Sequence, residues 1–217
     1  MIEKIISRRK FLSGSSAVAA TFSVPMINKG SFQVFAQSNM QYSARTMALM
    51  EGSLVMDLLS IVNNLNKMME SGNVDAVPDV SDEQYSKLVA SGINVYHPAV
   101  GLGGRNAKEG ALGFFTMHNA GIANRPDRFM RIDSMEDLDS VKASGKIGVI
   151  LGLQNSAHFY SHDDVERFFH LGQRISQLTY NTQNLIGSGS TDRVDGGISS
   201  FGEGVVARMN KVGMAVD

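Results

Sequence analysis

Seven polar residues stand at or near the ends of short apolar runs: Asp57, His97, Gln154, Asn155, Tyr180, Asn181 and Asp217. Only Asp57, His97 and Asp217 are metal ligands of the usual kind, because zinc takes imidazole nitrogen or carboxylate oxygen and the chain has no cysteine to offer a thiolate. The missing cysteines also remove a thiol nucleophile and a disulfide framework. His97 precedes Pro98 inside an apolar run, which suits a hydrogen-bonded structural histidine as well as a site residue, and Asp57 is open in the same way. His162-Asp163-Asp164 has a spacing that can place two ligands on one ion in an extended strand. It falls at a helix start, however, where acids in the first turn complement the helix dipole. His118 and His158 have no partner at ligand spacing. Neither His-Glu-x-x-His nor Gly-x-Ser-x-Gly occurs, so a zincin helix and a hydrolase nucleophile elbow are both unsupported.

The elements that must position these residues repeat along the chain. Ser81/Gln84, Ser134/Asp137, Ser161/Asp164 and Ser200/Glu203 each have the form of a capping box that opens a helix. Apolar residues follow at helical spacing, and Gly92, Gly145, Gly172 and Gly213 close the four segments. A strand-like run comes after each glycine: 93–100, 147–153, 175–180 and 214–216. An earlier run over 54–59 predicts a first strand, and 107–123 predicts one more helix. Gly148 to Leu153 is apolar or glycine at consecutive positions, the mark of a strand covered on both faces in a parallel sheet. The fold class is therefore α/β, either an open doubly wound sheet or a (β/α)8 barrel. Gly101-Leu102-Gly103-Gly104 lacks the spaced third glycine of a dinucleotide loop and reads as a flexible loop, which leaves the barrel favoured. In a barrel the carboxyl ends of the strands converge on the active site, and that rule selects the seven residues above.

Compartment is read from the first residues. Ser7-Arg8-Arg9-Lys10-Phe11-Leu12 is a twin-arginine pattern ahead of a weakly apolar, small-residue stretch. Cleavage is expected after Ala36, giving a signal over 1–36 and a mature protein from residue 37, exported to the periplasm. Removing 1–36 takes away five basic residues and one acidic residue, leaving 15 against 20 and a net charge of -5. Such a balance carries no footprint for a nucleic-acid partner. No later stretch reaches the roughly 18 apolar residues that a membrane span requires.

The run Leu171 to Asn181 (Leu-Gly-Gln-Arg-Ile-Ser-Gln-Leu-Thr-Tyr-Asn), with Asn184-Leu185-Ile186-Gly187 and Gly196 to Gly202, resembles the membrane dipeptidase (renal dipeptidase) family. So does Val205 to Asp217, through Val205-Val206, Met209-Asn210, Gly213-Met214 and Val216-Asp217. The likeness is strong from about Lys146 and collinear from about Ala44. It implies a (β/α)8 metallohydrolase that cleaves dipeptides with a two-zinc centre, a bridging carboxylate and an activated water. Asp57 to Ile61 aligns with the first-strand motif, which puts Leu59 at the position of a ligand His and Ile61 at that of a ligand Asp. Gln154 falls at the bridging Glu. None of the three can replace the family ligand, so one zinc or none is expected. Tyr180 stands where some members have a substrate-contacting His, and with Asn155 and Asn181 it is expected to contact a small peptide substrate. In the family, Ser-His and three further βα units follow the position of Asp217. Residues 1–217 are thus expected to be about the first five βα units of a longer chain, catalytically incomplete alone, with homodimerisation left open. The alternatives are a non-catalytic barrel that binds a small molecule or peptide, and a hydrolase of another amide or ester.

Overall fold

The computed structural model describes residues 42–60 and 80–217. The expected signal segment and Ile61 lie outside them. Along the chain run α1 (Ala44–Gly52), β1 (Met56–Ser60), α2 (Asp82–Ala90), β2 (Val95–Pro98), α3 (Ala107–Asn124), β3 (Phe129–Arg131) and α4 (Met135–Ser144). They are followed by β4 (Ile147–Val149), β5 (Leu151–Leu153), α5 (Asp163–His170), β6 (Gln173–Ser176), α6 (Ser200–Val212) and β7 (Ala215–Val216). Every strand pairing is parallel, in the orders β1-β2-β4-β3 and β5-β6-β7. The α/β class expected from the alternation is the class found.

The run 147–153 is buried at every position, as its unbroken apolar sequence requires, but it forms two strands rather than one. Ile150 is the joint. Its N–H donates to Tyr96 O at 2.9 Å, which carries the β2 ladder one residue past β4. Beyond it the chain pairs with β6, where Leu153 O accepts the Gln177 N–H at 2.9 Å. The other strands are shorter than their apolar runs, and β6 starts two residues earlier than expected, at Gln173. Two elements were not predicted. The three-residue strand β3 pairs with β4, and α1 is capped by Ser43, whose Oγ accepts the Thr46 N–H at 3.1 Å.

The helix starts follow local hydrogen-bond chemistry. Ser81 with Gln84 and Ser134 with Asp137 form complete capping boxes at α2 and α4. The other two caps sit one residue from their expected places. At α6 the cap is Ser199, not Ser200, since Ser199 Oγ accepts the Gly202 N–H at 3.0 Å. At α5 the cap position is His162 rather than Ser161, and the side chain reaching back is Asp164. Gly145 and Gly213 end their helices in the left-handed region at φ 70° and 82°, where a Cβ is unfavourable.

The main core joins α3, α5 and α6 to β4 and β5 through Phe114, Phe115, Phe168, Val205, Met209 and Leu151. Phe115 and Phe168 lie 5.7 Å apart, and Phe159 meets Phe168 edge-on at 6.0 Å. A second cluster, Val95, Ile132, Val141 and Ile150, packs α4 against β2 and the start of β3's return loop. A cavity of ≈ 80 Å³ lies between α2, α3 and the strands, lined by Leu88, Tyr96, His118, Ile122 and Phe129 among others. It is on the helix-covered side of the sheet and contains none of the predicted site residues.

Candidate functional site

Three loops leave the carboxyl ends of β2, β5 and β6 and meet. Gly101, just past β2, has space for a Cβ only 3.7 Å from the Tyr180 ring and 4.0 Å from Gln154 Cβ. A Cβ on Gly103 would stand 3.6 Å from Asn155 Nδ2. The Gln154 N–H donates to Val100 O at 3.0 Å, which ties the second loop to the first. Gly101 and Gly103 therefore lie within van der Waals reach of Tyr180, Gln154 and Asn155.

Within this cluster the polar groups divide into committed and free. Asn155 Oδ1 accepts the Ala157 N–H at 3.1 Å and an Asn184 Nδ2–H at 2.8 Å. Asn184 Nδ2 also donates to Leu178 O, so the Asn155–Asn184 pair holds the loops after β5 and β6 together. Ser156 is fully buried and donates to Gln177 O at 2.8 Å. Its single proton being used there, Ser176 is the donor in the 2.6 Å contact between the two hydroxyls. That network excludes Ser156 as a nucleophile. Tyr180 is 43% exposed, with its ring against Gly101. Asn181 is exposed in the loop after β6, where its carbonyl accepts from Thr191 and its side chain from Ser190.

The remaining sequence candidates have structural partners. His97 is buried with Nδ1–H donating to Leu58 O at 2.7 Å, which joins β1 to β2. Its Nε2 has no hydrogen-bond partner among the described residues and lies beside Gly152, where an added Cβ would stand only 2.2 Å away. Burial pushes this imidazole below its usual 6.5, against opposing pulls from the Leu58 carbonyl and the carboxylates of Asp217 and Asp57. Asp57 Oδ1 accepts the Leu59 N–H at 3.0 Å, a local turn bond. Asp217 is exposed and held by its backbone to Ser176 and Leu178. His162 stacks on Phe201 with Nε2–H donating to Phe201 O, so it is not in a ligand pair with Asp164.

A family zinc centre does not fit these residues. Among the described residues no group of three or more His, Asp and Glu side chains is placed to hold a metal ion. Leu59 is an exposed hydrocarbon, and Gln154 is a neutral amide that cannot supply the charge of a bridging carboxylate.

Two histidines that sequence spacing left without partners are core groups. His158 is fully buried, with Nε2 3.0 Å from Gln173 Oε1 and Nδ1 3.2 Å from Asn155 O. His118 sits in α3 with Nδ1–H donating to Phe114 O at 2.8 Å. Burial lowers both imidazoles from 6.5 to about 4. A folded pKa below the unfolded one contributes stability that is fully present above pH 6.5 and is lost as pH falls toward 4. Each site is expected to remove on the order of 2–3 kcal/mol across that window. Urea unfolding at half-unit pH steps checks this, and a flat profile between pH 6.5 and 4 contradicts it.

The sequence matches the family model for membrane dipeptidase, peptidase family M19, over residues 32–217. It is 31% identical over 101 residues to the dipeptidase aclJ of Aspergillus oryzae, covering 44% of this chain and 24% of that protein. It is similar to the solved amidohydrolase from Pseudomonas aeruginosa at 30% identity and a TM-score of 0.60, over 79% of this chain and 47% of that one. The probable dipeptidase PvdM from Pseudomonas aeruginosa shares the fold at a TM-score of 0.64 and 16% identity, over 80% of this chain and 48% of that one. This chain thus spans about half the length of those solved relatives and less of the fungal one. With parallel strands, a polar cleft at their carboxyl ends and a family match running to Asp217, the chain belongs to the membrane dipeptidase family.

Proposed function

We propose that the protein is a dipeptidase-like hydrolase whose substrate enters the cleft roofed by the Gly101–Gly104 loop. The observation that carries this reading is the family match over 32–217, which includes Gln154, Asn155, Tyr180 and Asn181. The strands support a barrel reading at the same level. β1, β2, the β4/β5 run, β6 and β7 are neighbours in chain order, as the first five strands of an eight-stranded barrel would be, with β3 added beside β4. In the cleft, Tyr180 Oη donates a hydrogen bond to a substrate carbonyl or carboxylate. Asn155 acts through Asn184 to hold the loops in place, and Asn181 lies at the rim. The twin-arginine pattern at Arg8-Arg9 supports export to the periplasm.

Family membership implies a metal, and the described residues do not form the site for one. No step is therefore assigned to a zinc-activated water in this chain. The same observation favours a second reading, a barrel that binds a peptide without cleaving it. Incubating the intact exported protein with a panel of free dipeptides, N-acylated dipeptides and simple esters separates these readings. The hydrolase reading expects release of free amino acids from the dipeptides only. Turnover confined to the other substrates overturns it, and dipeptide binding without turnover replaces it with the second reading.

A further inference from the structure

Between β6 and α6 the chain makes a long excursion over 177–199. Its base is tied into the body: Gly187 and Ile198 form an antiparallel bridge, the Ser199 N–H donates to Ile186 O at 2.8 Å, and Ile186 is buried in the main core. Its tip folds back on the Tyr180 segment. Asp192 Oδ2 accepts the Gly189 N–H at 2.7 Å and so closes a turn over 189–192. That turn presents two successive N–H groups to two successive carbonyls, Ser190 to Tyr180 O and Thr191 to Asn181 O, each at 2.8 Å. The Thr191 hydroxyl donates to the same Asn181 carbonyl at 2.5 Å. Backbone meets backbone at the centre of this contact. A Cβ on Gly189 would stand 2.5 Å from Thr182 N and 2.6 Å from Asn181 C, so any side chain there would force the two segments apart.

Tyr180 is therefore held by this excursion rather than by a strand. β6 ends at Ser176, and the carbonyls of Leu178, Tyr180 and Asn181 each accept a hydrogen bond from the 184–191 arm. The exposed Tyr180 ring lies against Gly101. We propose that the 189–192 turn positions the Tyr180 phenol, with Thr191 as the clamp and Gly189 as the residue that lets the turn reach the backbone it holds. The inference rests on the reading of Tyr180 as a hydrogen-bond donor to substrate, and it adds the residues that set where that hydroxyl stands. A tyrosine side chain has few torsions, so fixing its backbone and leaning its ring on Gly101 leaves few orientations open. Thr191 is a positioning residue, acting through the Asn181 carbonyl and the Tyr180 backbone.

The test is a double-mutant cycle on the full-length protein with alanyl-alanine as substrate. Thr191→Val keeps the branched shape and the backbone bond but removes the hydroxyl. It is expected to lower kcat/KM by about two- to tenfold, the range for one neutral hydrogen bond. Tyr180→Phe deletes the group being positioned and should lower kcat/KM by a similar factor. Adding Thr191→Val to Tyr180→Phe should then cost nothing further, and Thr191→Ser, which keeps the hydroxyl, should stay within about twofold of wild type. If the protein binds the dipeptide without cleaving it, the same pattern is expected in Kd by calorimetry. No loss in Thr191→Val, or an equal loss in both backgrounds, would overturn the positioning role while the dipeptide reading stands. Tyr180→Phe kinetics equal to wild type would remove Tyr180 from the site and the role of Thr191 with it. Wild type that neither binds nor cleaves the dipeptide would instead sink the dipeptide reading itself.

Discussion

Gly152→Ala is expected to unfold the protein or to cost about 3 kcal/mol or more in urea denaturation, although the substitution adds a single methyl group. The new Cβ would stand 2.2 Å from His97 Nε2, 2.7 Å from Ile175 O and 3.0 Å from Ile175 Cβ. Real Cβ atoms do not approach other atoms this closely. Neither neighbour can retreat cheaply. His97 is fixed by its bond to Leu58 O, and Ile175 O belongs to the backbone of β6, paired on both sides. The control is His97→Ala combined with Gly152→Ala. It removes the side-chain clash but leaves the backbone one, so rescue should be partial. Complete rescue would show that β6 yields, and an unchanged midpoint in the single variant would contradict the packing described for β2, β5 and β6.

Asp164→Ala is expected to cost about 2–4 kcal/mol, mainly by leaving the Tyr160 and Ser161 N–H groups unpaired, since Lys108 and Arg167 keep access to water. Asp164 is fully buried and satisfies four donors: Lys108, Arg167 and the N–H groups of Tyr160 and Ser161. Alanine would strand both N–H groups, and detach the start of α3 from the start of α5. Asp164→Asn should cost less, since an amide oxygen can still accept from the two N–H groups. Burial raises this carboxyl's pKa, but the hydrogen bonds from Lys108, Tyr160, Ser161 and Arg167 outweigh it and hold the group below 3.8. Its stabilisation is therefore present above the unfolded pKa and is lost only as pH falls below it. Histidine protonation acts between pH 6.5 and 4, so the two acid effects fall in separate windows. Asp164→Asn should remove the lower window and keep the upper one, with His158 moved slightly further down because the Asp164 charge that raises it is gone. Equal acid profiles for the variant and wild type would contradict the role given to the carboxylate.

Features set by neighbours in sequence were legible from the residues alone. The Ser81 and Ser134 capping boxes close within three residues, and Gly145 and Gly213 follow from a local need for positive φ. The buried run 147–153 could be read as parallel strand because solvent has no access to either face. Less was legible where a distant partner decides. Ile150 breaks that run because Tyr96, 54 residues earlier, takes its N–H. β3 has only three residues and exists through its pairing with β4, which its own sequence does not announce. The acids at the start of α5 were read as complements to the helix dipole, whereas Asp164 is the buried partner of Lys108, 56 residues away. His97 could be reduced to two roles by its setting, and only the contact with Leu58 O and the cover of Gly152 give it the structural one. Gln154, Asn155 and Tyr180 come together around Gly101 and Gly103, as residues that follow the carboxyl ends of parallel strands can. The packing of Gly101 and Gly103 on them had no signal beyond the glycines themselves.

The proposal with the widest consequences is that the family's zinc positions fall at Leu59, Ile61 and Gln154, where none of the three side chains supplies the family ligand. Zinc per chain, measured by inductively coupled plasma mass spectrometry on the full-length protein, addresses it most directly. Wild type is expected to hold one zinc ion at most, and the combined substitution Leu59→His, Ile61→Asp and Gln154→Glu is expected to raise that number. Two zinc ions in wild type, unchanged by the triple substitution, would contradict the assignment of those three positions and return the protein to the family's metal chemistry.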